Sequence, residues 1–157
     1  MSRQASPSAA DIEEVAALLG RPPGGNFVIA VRRKGGGPVV IMNDPLLRDG
    51  TPMPTRYWLV DPELCSRVGR LEAAGGVKEV QRLVDPELIA EAHARYARDR
   101  DARLPVAWEK PRPSGGVGGT RQGVKCLHAH LAWWLAGGED PVGQWVADRV
   151  GATLPVE

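Results

Sequence analysis

Apolar positions change period along the chain, and each change marks an element. Ile12, Val15, Ala16, Leu18 and Leu19 recur at helical spacing up to Gly20, where Arg21-Pro22-Pro23-Gly24-Gly25 stops them, so the pattern predicts a short amphipathic helix. Residues 26–32, 38–42 and 55–60 are rich in Val, Ile, Phe, Tyr and Trp and predict three strands. Lys34-Gly35-Gly36-Gly37 reads as a hairpin connection between the first two. Residues 43–54, with Asp49-Gly50 and three prolines, read as a loop leading to the third.

The second half is punctuated by Asp61-Pro62, Asp85-Pro86 and Asp140-Pro141. Each places a capping carboxylate before a proline whose missing N–H is harmless at the first helical position. The predicted helices run from Asp61 to about Ala74 with Leu64, Val68 and Leu71 on one face, from Asp85 to about Arg103 with Leu88, Ala92 and Tyr96 inward, and from Asp140 to Val150 with Val142, Trp145 and Val146 inward. A short helical piece is expected over 77–84. Residues 104–119, with Pro105, Pro111, Pro113 and four glycines, form a loop longer than an ordinary connector, which favours a functional role. Thr120 is then expected to cap a helix through about Ala136, closed by Gly137-Gly138. The expected fold is α+β: a small antiparallel sheet of about three strands in the N-terminal half, packed with four to five helices. Residues 1–8 are expected to be frayed and 9–157 to form a single domain.

Composition narrows the functional classes. At 157 residues with 43% hydrophobic and 25% charged positions, the chain has the make-up of a globular domain, and its net charge of +1 gives no strong nucleic-acid signal. The longest apolar runs, 27–31 and 39–42, fall far short of the roughly 20 residues of a membrane span, and the N-terminus lacks an apolar signal region. A cytoplasmic location without membrane association is the expectation. Two cysteines in separate segments favour reduced thiols over a disulfide framework.

Chemistry concentrates in GVGGTRQGVKCLHAHLAWW, residues 116–134, which holds one of two cysteines and two of three histidines. Three readings stay open. The backbone of Gly118, Gly119 and Thr120 at a helix start, helped by Arg121 and Lys125, suits a phosphate-bearing or other anionic ligand. Cys126 and His130, four apart on a helix, suit zinc or iron, with Asp61, Cys65 or His93 as further ligand candidates. Cys126 beside His128 suits a nucleophilic thiol. On one regular helix His128 lies about 160° around from His130. Cys126, His128 and His130 therefore grip one metal only if the helix starts later and Cys126 sits on its irregular approach. Whether the protein is an enzyme stays open.

Leu-Gly-Arg-Pro-Pro at 19–23, Gly-Thr-Pro-Met-Pro-Thr-Arg-Tyr-Trp-Leu at 50–59, Ser-Arg-Val-Gly-Arg-Leu-Glu at 66–72 and Val-Lys-Cys-Leu-His at 124–128 occur in that order. With these segments the chain resembles the bacterial family called domain of unknown function 501. The resemblance implies a cytosolic housekeeping role, in a family best known from actinobacteria whose genes tend to lie near those for a septum-formation protein and an exopolyphosphatase-like enzyme. It raises the weight of a phosphate-bearing ligand and keeps open a non-catalytic interaction protein that meets division or envelope enzymes. Relatives often carry a cysteine where Arg33 or Lys34 stands here, and a cysteine or histidine where Asp61 stands. Either Asp61 keeps a metal role or the metal is lost; Lys125, Cys126 and His128 match.

Overall fold

The computed structural model describes residues 6–154. Helix α1 (Ala9–Leu19) opens with a capping box. Ser8 Oγ accepts from the Asp11 amide at 3.1 Å, and the Asp11 carboxylate accepts from the Ser8 amide at 3.0 Å. Gly20, at φ 79°, ends the helix. Of the tail expected to fray, residues 1–5 lie outside the described residues, and Ser8 is a cap.

Strands β1 (Phe27–Arg32), β2 (Pro38–Asn43) and β3 (Tyr57–Leu59) form an antiparallel sheet in the order β1-β2-β3. The central strand β2 is buried along almost its whole length because both of its faces are covered. Ile41 packs with Val15, Phe27 and Val60 on the α1 side, and Val40 joins Leu59 in the main core.

All three Asp-Pro pairs start helices. Asp61 accepts from the Leu64 amide ahead of α2 (Pro62–Ala73), Asp85 from the Glu87 amide ahead of α4 (Pro86–Asp101), and Asp140 from the Val142 amide ahead of α6 (Pro141–Val150). Between them lie α3 (Gly76–Leu83) and α5 (Leu127–Leu135). The α5 helix packs between β3 and α6, and its Leu127 and Leu131 meet Val68, Val80, Val142 and Val146 in the main core. The architecture is α+β, with six α-helices among the described residues.

Two expectations fail. Leu88 is 47% exposed, whereas Ile89, Ala92, His93, Tyr96 and Arg100 form the buried stripe of α4. The stripe keeps helical spacing but admits a histidine and an arginine. Arg100 is tolerated inside because its guanidinium donates to the carbonyls of Pro54 and Pro113 and pairs with Asp101.

Thr120 does not start a helix. Gly123, at φ 67°, takes a left-handed value that interrupts a right-handed helix, and α5 begins only at Leu127. Ahead of Thr120, Val117–Gly119 make one 3₁₀ turn in which Gly118 and Gly119 are left-handed, at φ 64° and 74°. The α5 helix is covered on most sides, with Leu127, Ala129, His130, Leu131, Ala132, Trp133 and Leu135 all buried. Trp133 is buried edge-on against Tyr96 at 5.1 Å between ring centres, while Trp134 is half-buried.

Candidate functional site

The glycine turn is fastened to α4 by one histidine. His93 Nδ1 accepts from the Val117 amide at 3.0 Å, and its Nε2 donates to the Gly123 carbonyl at 2.7 Å. One nitrogen accepting and the other donating describes a neutral imidazole. Burial holds its pKa below the ordinary value, against the Gly123 carbonyl, and the neighbouring His130 adds to the lowering. Within the turn, Gly119 donates to the Gly116 carbonyl, Thr120 to the Val117 carbonyl and Gly116 to the Thr120 carbonyl. The amides of Gly119 and Thr120 are thus spent inside the turn, and the expected backbone cradle for an anion is not formed by them. Thr120 is buried and its hydroxyl is without a partner.

Past the turn, Gln81 of α3 accepts from the Val124 amide at 2.9 Å. Beside this bond and those of His93, residues 121–123 and the facing residues of α3 and α4 line a half-open cavity of about 460 Å³. Pro86, Ile89 and Ala90 supply an apolar wall, and Gln81, Arg121 and Gln122 supply polar groups. Arg121 is exposed and makes no hydrogen bond or ion pair among the described residues. Lys125 is also exposed but does not line this cavity.

Cys126 is the residue just before α5, in extended conformation at φ −132° and ψ 111°. Standing outside the helix, it escapes the helical rotation that would have carried it toward His130. Its sulfur, a nitrogen of His128 and a carboxylate oxygen of Glu72 all lie within 4.8 Å of one another. Glu72 comes from the last turn of α2. Its Oε1 is 3.1 Å from His128 Nδ1, and its Oε2 accepts from the Leu127 amide at 2.9 Å. His128 Nε2 donates to the Cys65 carbonyl at 3.1 Å. Gly76 lets the α2–α3 corner approach this closely, since a Cβ there would lie 2.8 Å from the Leu71 carbonyl and 3.1 Å from Leu127 Cδ1.

Electrostatics follow from that placement. The hydrogen bond to Cys126 pushes the His128 pKa up to about 9, against burial and with help from the Cys65 carbonyl and Glu72. Burial raises the Cys126 thiol, but the His128 hydrogen bond, the Ala129 amide and the His128 charge outweigh it and leave the pKa below its ordinary value. Cys65 is the opposite case. Its thiol donates to the Leu59 carbonyl, and burial, with Asp61 and Cys126 nearby, pushes its pKa up to about 11. In a hydrolase-type triad the carboxylate orients the imidazole nitrogen away from the nucleophile. Here sulfur and carboxylate crowd one edge of the ring, and the far nitrogen is held by a backbone carbonyl. The arrangement polarises the thiol without placing an orienting acid behind it.

The structure does not bring Cys126, His130 and Asp61 together. His130 is buried, its Nδ1 2.6 Å from Asp140 Oδ2. Asp61 caps α2 and pairs with Arg33 at 2.5 Å. Arg33, one of the two hairpin residues named above, thus occupies the Asp61 carboxylate as an ion pair. Cys126 and His128 do meet, and the acid that joins them, Glu72, was not singled out from sequence. One signal was present: a carboxylate in the last turn of a helix opposes the helix dipole and calls for a compensating partner.

Among the described residues, no helix is long and apolar enough to cross a membrane. No curated protein and no solved structure matches the chain. A family model described as "Protein of unknown function (DUF501)" matches residues 29–148, a span that contains the cavity, the Cys126 cluster and all of the sheet but Phe27 and Val28.

Proposed function

Starting from the chain's membership of the DUF501 family, whose description assigns no activity, we propose that it is a ligand-binding protein whose cavity beside the glycine turn takes a phosphate-bearing small molecule. The observation that carries this reading is Arg121, a cation without a partner at a cavity of about 460 Å³. That volume lies in the range of small-molecule sites. Pro86, Ile89 and Ala90 suit the apolar body of a ligand, the side-chain amides of Gln81 and Gln122 suit its polar edges, and a guanidinium holds phosphate through two parallel hydrogen bonds. The anion is held by Arg121 rather than by the turn's backbone.

Calorimetric titration with inorganic pyrophosphate and with adenosine monophosphate tests the reading. Saturable binding that weakens with added salt is expected, stronger for the nucleotide because it also fills the apolar wall. Arg121→Ala should cost about 1–3 kcal/mol of binding, the range for charge-assisted hydrogen bonds, and Arg121→Lys should recover only part, since an ammonium cannot form the two-bond fork. Lys125→Ala should have a smaller effect. No heat with either ligand, or affinity indifferent to Arg121, refutes the proposal.

A second reading, a non-catalytic interaction protein, is favoured by Val106. It is 99% exposed on the proline-rich loop, next to Ala107 at φ 61°. The left-handed backbone at Ala107 costs energy for a residue other than glycine, and such conformations cluster at functional segments.

A further inference from the structure

We infer that Glu72, Cys126 and His128 form a site for a thiophilic divalent cation of the zinc class, separate from the phosphate cavity and independent of that proposal. The cluster combines one thiol, one imidazole and one carboxylate, the donor types that zinc accepts together. Around a tetrahedral zinc, with bonds of about 2.0–2.3 Å, such donors stand about 3.5 Å apart. The three donor atoms already lie within 4.8 Å of one another. Side-chain adjustments of about an ångström close that gap, less than a rotamer change.

The atoms behind the donors argue further for this assignment. A metal-binding imidazole characteristically gives its other N–H to a carbonyl or carboxylate, which fixes its tautomer and orientation. His128 does so, with Nε2 on the Cys65 carbonyl and Nδ1 turned toward Glu72. Glu72 is held in the same way, one oxygen by the Leu127 amide and the other facing the cluster. Cys126 is fixed by backbone, as the extended residue before α5. Three donors thus converge, with His128 and Glu72 each held by a contact on the donor's far side and Cys126 by its backbone.

Charge agrees. A thiolate, a carboxylate and a neutral imidazole around a divalent cation sum to zero, the protonation states that metal binding itself selects. The side chains of His128 and Glu72 are 28% and 27% exposed, so the site opens to the surface. Three protein donors leave a fourth position for water or another ligand, the pattern of zinc sites that exchange ligands rather than of closed structural ones.

The test uses the full chain, stripped by chelator dialysis and titrated with Co²⁺ and then Zn²⁺. Expected is one Co²⁺ per chain, with a near-ultraviolet sulfur-to-cobalt band that Zn²⁺ displaces. Cys126→Ser should abolish the band, while His128→Asn and Glu72→Gln each weaken binding tenfold or more. Cys65→Ser should leave both band and affinity unchanged, because only the backbone carbonyl of that residue is used. Circular dichroism of the stripped variants checks their folding, and if Cys126→Ser does not fold, the two conservative variants read the same site. No sulfur-to-cobalt band in the wild-type chain, or a band lost in Cys65→Ser and kept in Cys126→Ser, overturns the assignment. Pyrophosphate binding that persists after stripping leaves the phosphate cavity standing even if the cation site fails.

Discussion

Replacing His93 with Leu removes the one side chain that fastens the glycine turn to α4, and the structure sets the size of the effect. Leu cannot accept from the Val117 amide or donate to the Gly123 carbonyl. Val117 is 1% exposed, so its amide has no ready route to water, and a buried donor without a partner costs about 1–3 kcal/mol. The Gly123 carbonyl borders the cavity and can be hydrated, so its loss is nearer the net value of a hydrogen bond, about 0.5–1.5 kcal/mol. Together the substitution should destabilise the protein by about 1.5–4.5 kcal/mol, a large fraction of the stability of an ordinary domain. Urea unfolding at pH 7.5, followed by tryptophan fluorescence, measures the global cost. Amide exchange at Val117 reports whether the turn has come loose in particular. A loss below about 0.5 kcal/mol, with Val117 protection unchanged, would refute the reasoning, because it would mean the turn holds its shape through its internal bonds alone.

The same histidine gives a pH dependence. Its pKa in the folded protein lies below the ordinary 6.5, so its neutral form costs nothing at pH 7.5, and stability falls as pH drops below 6.5, where the unfolded chain takes up a proton that the fold resists. The stability gap between wild type and His93→Leu should therefore narrow from pH 7.5 to 5.5; a constant gap contradicts the neutral assignment. His128 has the opposite sign. Its pKa is raised to about 9, so its contribution is complete below 6.5 and is lost as pH rises toward 9, leaving the acid side of the comparison to His93. Gly143→Ala should destabilise by about 1–2 kcal/mol in urea unfolding. Helix propensity alone favours alanine by about 1 kcal/mol, but the new Cβ would sit 2.5 Å from the His130 carbonyl oxygen and 2.6 Å from Trp134 Cβ, and overpacking costs about 1–3 kcal/mol or more. A stabilised variant would show that α5 and α6 separate freely.

The parts of the fold legible in the sequence are those set by local chemistry. β-branched runs marked the sheet, and three Asp-Pro pairs marked helix starts, because a capping carboxylate and a proline act on amides within three residues of themselves. The loop over 104–119 was legible from its prolines and glycines, whereas the 120–126 segment was not. A glycine permits a left-handed φ without announcing it, and Gly123 sits at φ 67° inside what was expected to be helix. That shift also decided which side chains meet Cys126: helical spacing pointed to His130, whereas a residue outside the helix meets His128 instead. Glu72 and His93 reach their partners across 55 and 24 residues, and only the packing of α2 and α4 against the α5 approach brings them there. Arg121 was legible as a cation following the glycine run, but the cavity beside it was not.

The central claim, a phosphate-bearing ligand held by Arg121 in the cavity beside the glycine turn, is tested most directly by nuclear magnetic resonance. Adenosine monophosphate is titrated into ¹⁵N-labelled protein, with the backbone amides, the Arg121 side chain and the Gln81 side-chain amide followed together. The account predicts saturable shifts that converge on Arg121, Gln122, Gly123 and Gln81, with the sheet silent and the pattern lost in Arg121→Ala. Shifts centred elsewhere, or none at millimolar ligand, would contradict it.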